Sequence, residues 1–428
     1  MFDENWRHQI IHCFVLIVHK NKLRCHTELS LAKEPQSPQP PSSLPPNKMN
    51  ETNSNNDSVK TISSSPNNNS KLQKIIVDCH HHYLYPSPTN QFHSMLYQLG
   101  VNPYLPEQYT ADKGPNLNII KTVHVEAISD ADGLGEVKNV CSIAQNTCDP
   151  KVFAIVANVD LTAENVEERL NDVIQAGSSS TSDNSSMVKG IQMILDHDGT
   201  PFGMVEGEKW AGRTHIACSS QNTCETDRDV DLLRNIDGLR KLERGFGMLA
   251  DKNLSFDLQC CPAQLLGGDN GRSGAIGLIQ RHPNVKVVID HLGKPYRLGM
   301  AQNEASDDAE LAQWKNAMQQ LSQFQNVYIK ISMLGYAVPF WTTCKKKEEL
   351  LQSLIRYVIE LFGVERCMVA SNWHCNFSIT NSDADDIDPK ELTMEFLYEK
   401  IVDWVSDYAD EAEIDWLFRK TAERFYCI

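Results

Sequence analysis

The feature that most constrains the fold is a regular alternation of short apolar runs with longer helix-like stretches, which begins at Lys74. Strict alternation predicts a parallel sheet covered by helices, and eight such units predict an α/β fold, a closed (β/α)8 TIM barrel over residues 74–428. A doubly wound open sheet is the alternative, but it would need a glycine-rich turn where His80 to Tyr83 stand. The eight predicted strands are Ile75–Cys79, Thr122–Ala127, Val152–Val159, Met187–Leu195, Leu254–Cys260, Val285–His291, Val327–Ser332 and Cys367–Asn372.

Residues 1–73 differ in amino-acid composition from the predicted barrel. Residues 33 to 73 are rich in Pro, Ser and Asn and contain too few apolar groups to offset the entropy of folding. We therefore predict a disordered, low-complexity N-terminal extension. The apolar run over residues 10–18 is too short to span a bilayer, and the acidic residues before it are atypical of a signal peptide.

Composition excludes several classes of partner. The formal net charge of −16 argues against nucleic acid or an anionic lipid surface as the main partner. The 13 cysteines are odd in number, and several lie within apolar runs, so we expect reduced thiols and a cytoplasmic protein. The expected partner is a small anionic or sugar-derived molecule, and the oligomeric state is left open.

Chemistry on such barrels lies at the carboxyl ends of the strands, so the polar residues that end each run are candidate site residues. His80 and His82 leave one face of the first strand because residues two apart point to the same side. With His291 from the sixth strand they could meet on the barrel axis. Three neutral imidazoles can hold one divalent metal with an open water position, or can act without metal as oxyanion stabilisers and acid–base groups.

Five motifs in this order resemble the signature of the amidohydrolase superfamily, in its amidohydrolase-related branch of predicted metal-dependent hydrolases. That branch includes sugar-acid lactonases and 2-pyrone-4,6-dicarboxylate lactonase. The motifs are Val77-Asp78-Cys79-His80-His81-His82, Val125-Glu126-Ala127, Asp290-His291-Leu292-Gly293-Lys294-Pro295, Lys330-Ile331-Ser332 and Ala370-Ser371-Asn372-Trp373.

The resemblance implies a hydrolase that opens a cyclic ester or amide with water, with His80, His82 and His291 as its active-site histidines. It implies at most one divalent ion, zinc or manganese, and it is compatible with none. A two-metal site is not expected, because Gln192 and Gln259 stand where binuclear members have a lysine or glutamate and a histidine.

One departure concerns the proton acceptor. The superfamily usually has an aspartate after the eighth strand, where this chain has Asn372, and a neutral amide cannot accept a proton from water. His374, two residues further on, and Glu126, at the end of the second strand, are the predicted substitutes.

The remaining candidates would bind substrate. Lys294 and Lys330 could each anchor a carboxylate, or could brace the barrel in an ion pair with a neighbouring acid. Gln192, Trp373 and Tyr83 are predicted to line the pocket. The predicted function is hydrolysis of a lactone of a small sugar acid or a related carboxylate. The alternatives are a catalytically impaired barrel that binds a small molecule or protein, and a metal-dependent decarboxylase.

Overall fold

A computed structural model describes most of the chain after residue 73. The described residues are 74–90, 92–98, 101–127, 133–147, 151–178, 185–196, 231–267, 273–295, 298, 304–338, 341–342, 344–373 and 393–428. The predicted N-terminal extension, the polar loop with Cys218 and Cys224, and the candidate base His374 lie outside the described residues.

Eight parallel strands pair in chain order, each with the next. The sheet closes where the backbone N–H of Asn372 donates to the carbonyl of His80 at 2.8 Å and where Trp373 bridges to His81 in parallel. The (β/α)8 barrel is therefore confirmed, and the open sheet is excluded. The strands are β1 Ile76–His81, β2 Ile119–Val125, β3 Lys151–Asn158, β4 Val188–Gln192, β5 Ser255–Leu258, β6 Val287–Ile289, β7 Val327–Ile331 and β8 Cys367–Val369.

Helices cover the outside of the barrel between the strands. Among the described residues, none of them has the length and apolar character that crossing a bilayer requires. The helices are α1 Ser94–Gln98, α2 Pro106–Lys113, α3 Gly133–Asn146, α4 Val166–Ser178, α5 Ile236–Asp251, α6 Pro262–Leu265, α7 Gly274–Arg281, α8 Glu304–Leu321, α9 Leu334–Ala337, α10 Lys345–Phe362, α11 Met394–Ser406, α12 Glu411–Asp415 and α13 Thr421–Tyr426, with short 3-10 turns at His291–Gly293 and Val364–Arg366 and a π-helical turn at Trp416–Lys420.

Local sequence explains where individual helices begin, which face they bury and where they end. Asn235 caps α5, because its side chain accepts from the backbone N–H groups of Asp237 and Gly238. Helix α4 buries residues spaced by three or four, which places one apolar stripe against the sheet. Helix α10 stops at Gly363, whose φ of 76° lies in the left-handed region that glycine adopts without strain.

The barrel interior contains one residue that strand alternation would place outside. Cys79 belongs to the same buried cluster as Val77, Val288 and Met368, into which Tyr426 of α13 also packs. In a regular strand Cys79 would lie on the face opposite to His80 and His82. The register of β1 against β2 shifts between Asp78 and His81, and a bulge of this kind lets adjacent residues share a face.

The carboxylate of Asp78 joins the first strand to the last. Oδ1 accepts from the backbone N–H of Ser371 at 2.9 Å, and Oδ2 accepts from the Ser371 hydroxyl and from the Tyr109 hydroxyl, each at 2.6 Å. Asp78 is fully buried, so each of these donors would otherwise lack a partner. The contact fixes the residues just before Asn372 relative to His80, and so sets the geometry at the barrel mouth.

We expect Asp78→Ala to lower the free energy of unfolding by about 3 kcal/mol, because three buried donors lose a charged acceptor. Tyr109→Phe is the matched control; it removes one hydroxyl and should cost about 1 kcal/mol. Urea denaturation followed by circular dichroism measures both. Equal stabilities of the two variants would show that Asp78 does not hold the seam.

Candidate functional site

After each of three consecutive strands, one residue has a positive φ in the left-handed region. These residues are His291 after β6 (φ 54°), Met333 after β7 (φ 52°) and Asn372 after β8 (φ 45°). A non-glycine residue in this region is strained by about 1–3 kcal/mol, and such strain is found mainly at functional sites. Two of the three are candidate site residues, so the backbone itself marks this end of the barrel.

Three imidazoles converge at this end. The ring of His80 lies 5.0 Å from that of His82 and 4.9 Å from that of His291, measured between centroids. Nδ1 of His291 is 2.9 Å from the hydroxyl of Ser332, which follows β7. His80 and His291 are buried and His82 is partly exposed, so His82 lies on the open side of the group. The structure thus brings together the three histidines that the sequence singled out.

His82 has a defined proton position. Its Nδ1 lies 3.0 Å from the carbonyl oxygen of Val125, which can only accept, so Nδ1 carries the proton. Nε2 then has a lone pair and lies 2.8 Å from Oδ1 of Asn372. Two acceptors cannot form a hydrogen bond, so a neutral His82 would bond to Asn372 only if the amide turned its N–H group towards the ring.

The ammonium of Lys330 lies beneath these histidines, where it has no exposed surface. Nζ is 2.5 Å from Oδ2 of Asp257, 3.0 Å from Oδ1 of Asp290 and 3.1 Å from Nδ1 of His80. Gln192 donates from Nε2 to Oδ2 of Asp290 at 2.7 Å. Lys330 and Gln192 therefore brace the barrel interior. For Lys330 this is the second of the two roles considered from the sequence.

Lys294, which follows β6, is also buried in an ion pair. Its ammonium pairs with Oδ2 of Asp196, the last described residue after β4, and Gln259 donates from Nε2 to the same oxygen at 3.0 Å. Lys294 is 2% exposed. A substrate carboxylate would have to replace Asp196 to reach this ammonium, so the bracing role is again the one that the contacts favour.

The two aromatic candidates lie on different faces. Trp373 follows Asn372 at the barrel mouth and donates from its indole N–H to Asp112 of α2 at 2.9 Å. The ring of Tyr83 lies 4.5 Å from that of His81, in the core between the sheet and the helices. Tyr83 was predicted to line the pocket, but it follows β1 and its ring packs against those of Tyr109 and His124, away from His80 and His82.

A second group of histidines on this outer face was not found from the sequence. Glu136 of α3 lies 3.0 Å from Nε2 of His124 and 3.6 Å from Nε2 of His93, and it accepts from the backbone N–H of Ala127 at 2.9 Å. Burial raises the pKa of Glu136, but these hydrogen bonds outweigh burial and hold it below its ordinary value. His93 and Glu136 lie outside the strands, so a search of strand ends could not detect them.

The other candidate base, Glu126, is buried directly after β2. Its assignment as the base stays a prediction.

The inner imidazoles are neutral. Burial lowers the pKa of His80 and of His291 well below the ordinary value for histidine, and the nearby Lys330 ammonium lowers both further. Burial also lowers the pKa of His82, while its bond to the carbonyl of Val125 acts in the opposite direction. At neutral pH each ring therefore has one N–H group and one lone pair.

The donor groups do not fit a divalent ion as they stand. Among the described residues, donor atoms of His80, Asp290 and His291 lie within 4.8 Å of one another, which is close enough to share a metal. Lys330, however, places an ammonium 3.0 Å from Asp290 and 3.1 Å from His80. A divalent ion held by these groups would adjoin a buried positive charge, which is strongly unfavourable where little water screens it.

Comparison with known proteins identifies relatives of this chain. A family model described as amidohydrolase matches residues 217–428. The uncharacterized protein y4mH of Sinorhizobium fredii is 25% identical over 294 residues, which are 68% of this chain and 80% of that protein. An L-fucono-1,5-lactonase of Burkholderia ambifaria is 28% identical over 134 residues, which are 31% of this chain and 39% of that protein.

Among solved structures, an amidohydrolase of Burkholderia multivorans with bound HEPES is similar, with a TM-score of 0.56 at 18% identity, covering 83% of this chain and 99% of that one. A second crystal structure under the same description contains bound zinc and has a TM-score of 0.54. At this identity the likeness shows the fold alone. Together with the family match it confirms the resemblance to amidohydrolases that the motifs predicted, and the family match supports a hydrolase.

Three buried neutral histidines make stability depend on pH. Burial lowers the pKa values of His80, His81 and His291 in the folded state, so below about pH 6.5 the unfolded chain binds more protons than the folded one. The free energy of unfolding should therefore fall as pH falls from 7 to 5, with a slope that approaches about 1.4 kcal/mol per pH unit for each such histidine below pH 6. Urea titrations at several pH values measure this slope.

His81→Phe provides the control, since neither ring nitrogen of His81 has a hydrogen-bond partner among the described residues. In this variant the unfolded chain should bind about one proton fewer on acidification, so the free energy of unfolding should depend less steeply on pH. An unchanged slope in His81→Phe, or a wild-type stability that increases on acidification, would contradict this account.

Proposed function

Because the chain carries an amidohydrolase-family domain over residues 217–428, we propose that it is a hydrolase that opens the lactone ring of a small sugar acid or a related carboxylate with water. The observation that carries the proposal is the convergence of His80, His82 and His291 at the barrel mouth, where a carbonyl and a water molecule could meet neutral imidazoles. The similarity of part of the chain to an L-fucono-1,5-lactonase supports the lactone as the substrate class.

His82 is the proposed general base. The carbonyl of Val125 holds the proton on Nδ1, which leaves Nε2 as the acceptor, and His82 is the least buried of the three. An imidazole whose pKa lies near or below neutrality is a suitable acceptor for a proton of water. This assignment removes the need for an aspartate at position 372, although Glu126 and His374 stay as the alternatives predicted from the sequence.

The reaction then proceeds in two steps. Water attacks the lactone carbonyl as one of its protons passes to Nε2 of His82. The tetrahedral intermediate collapses by breaking the ring C–O bond, and the ring oxygen takes the proton back from the imidazolium. The buried rings of His80 and His291 face the developing oxyanion, where a fixed donor typically contributes 10²–10³ in rate.

No step in this scheme runs through a metal ion. A single zinc or manganese ion is the cofactor that the resemblance implies, and zinc is bound in one crystal structure of the Burkholderia multivorans relative. In this chain the ammonium of Lys330 opposes such an ion at His80 and Asp290.

A second candidate function is a barrel that binds a sugar acid without turnover. Asn372 favours it, because the usual catalytic aspartate is absent at that place. Decarboxylation, the other alternative from the sequence, would release CO₂, which lactone hydrolysis does not. Product analysis separates both the binding function and decarboxylation from the main proposal.

His82→Gln should lower kcat on a hydrolysed lactone by about 10²–10⁴-fold, because a glutamine cannot take up the proton of water. A panel of aldonolactones and pyrone lactones, assayed with and without a chelator, identifies the substrate for this comparison. His81→Phe, which alters the opposite face of the same strand, should keep kcat within a few-fold.

If no lactone is opened under any metal condition while a sugar acid still raises the melting temperature, the binding function replaces the proposal. Equal kcat values for His82→Gln and the wild type would remove His82 as the base.

Asn372→Asp tests whether His82 is the general base by changing the residue beside its Nε2. A carboxylate in the place of Oδ1, now 2.8 Å from Nε2, would raise the pKa of His82 because it favours the charged ring. The acid limb of kcat/KM should therefore move to higher pH. Asn372→Gly is the uncharged control, since glycine accepts the φ of 45°. An unmoved acid limb would mean that His82 does not take the proton.

A further inference from the structure

The Lys330 ammonium has two hydrogen-bond acceptors and a second carboxylate beside it. Nζ donates to Oδ2 of Asp257 at 2.5 Å and lies 3.1 Å from Nδ1 of His80, while Oδ1 of Asp290 forms an ion pair with it at 3.0 Å. Burial lowers the pKa of Lys330, but the two carboxylates outweigh burial and raise it, so the charge is kept.

This arrangement decides where the proton of His80 lies. A neutral imidazole has one N–H group, and an ammonium has no lone pair to receive it. Nδ1 of His80 must therefore be the acceptor, and the proton lies on Nε2. Nε2 is buried and has no hydrogen-bond partner among the described residues, so its N–H group is available to a bound molecule.

From this geometry we infer that Lys330 is a positioning residue that fixes the Nε2–H tautomer of His80, so that His80 donates a hydrogen bond to the substrate carbonyl rather than a lone pair to a metal. This inference rests on the proposed lactone hydrolysis for the identity of the carbonyl. The proton position itself does not depend on that reaction.

Among the described residues, Oδ1 of Asp290 is the contact that would favour the other tautomer. It lies 3.5 Å from Nδ1 of His80, too far for a strong hydrogen bond, while Nζ of Lys330 lies at 3.1 Å. A proton on Nδ1 would point towards the ammonium. The nearer, charged donor therefore sets the tautomer, and Asp290 serves to hold that donor in place.

The contrast with His82 supports the distinction between the two rings. A histidine prepared for metal donates one N–H group to a carbonyl or carboxylate and offers its other nitrogen as a lone pair. His82 has this arrangement through Val125. His80 has the reverse arrangement, so two residues that share a strand face have complementary roles: His80 donates and His82 accepts.

The direct test is a two-bond ¹H–¹⁵N NMR spectrum of the full-length protein labelled with ¹⁵N-histidine at pH 7. The His80 signals are assigned by their loss in His80→Gln. We expect the pattern of a neutral ring protonated on Nε2. A ring protonated on Nδ1 would overturn the inference, whatever the outcome of the lactone assays.

A variant pair tests the cause. Lys330→Met combined with Asp257→Asn removes the ammonium and one carboxylate together, so the formal charge of the cluster does not change. Asp257→Asn alone keeps the ammonium and is the matched control. In the double variant the proton should move to Nδ1, which can donate to Asp290, and kcat should fall by about 10²-fold with a smaller change in KM.

Zinc titration by calorimetry gives a readout that does not need a substrate. The double variant should bind zinc with near-unit stoichiometry. Adding His80→Gln to the double variant removes the lone pair and should abolish this binding. Asp257→Asn alone should bind no zinc at this site. A double variant with the wild-type tautomer and no gain of zinc would refute the role of Lys330. Should it not fold, the wild-type spectrum still decides the tautomer.

Discussion

The buried ammonium of Lys330 links four parts of the barrel to its catalytic end. It reaches from β7 to Asp257 on β5, to Asp290 after β6 and to His80 on β1. An unpaired charge in such a place would be very costly, and the cluster is tolerated because two carboxylates pair with the ammonium. The ammonium also donates to the imidazole of His80, so the barrel core and the site share one network.

The two faces of β1 divide the histidines by environment. His80 and His82 face the barrel axis, whereas His81 packs among tyrosines and near His124 on the outer face. The bulge before His81 and the seam at Asp78 fix which residue faces inwards. Neighbouring residues of one chemical type thus acquire unrelated environments, and only the inner pair can take part in the proposed hydrolysis.

The absence of an aspartate at position 372 is less damaging to catalysis than the motif comparison suggests. Asn372 lies against a lone pair of His82, a ring already held in one tautomer by a backbone carbonyl. An aspartate there would instead stabilise the imidazolium and reduce its use as a base at neutral pH. In the proposed mechanism Asn372 and His82 act as a pair, and the proposed proton acceptor is a histidine rather than a carboxylate.

The sequence by itself determined the eight-stranded barrel and the convergence of His80, His82 and His291, because strand alternation and the polar residues at strand ends depend only on local pattern. It could not decide the roles of Lys294 and Lys330, which depend on acids from other strands. It could not place Cys79, since a bulge is a property of strand pairing, and it missed Glu136, which lies on a helix. Only tertiary structure bears on which nitrogen of His80 and of His82 carries the proton, because that depends on the donor or acceptor that packing places beside each ring.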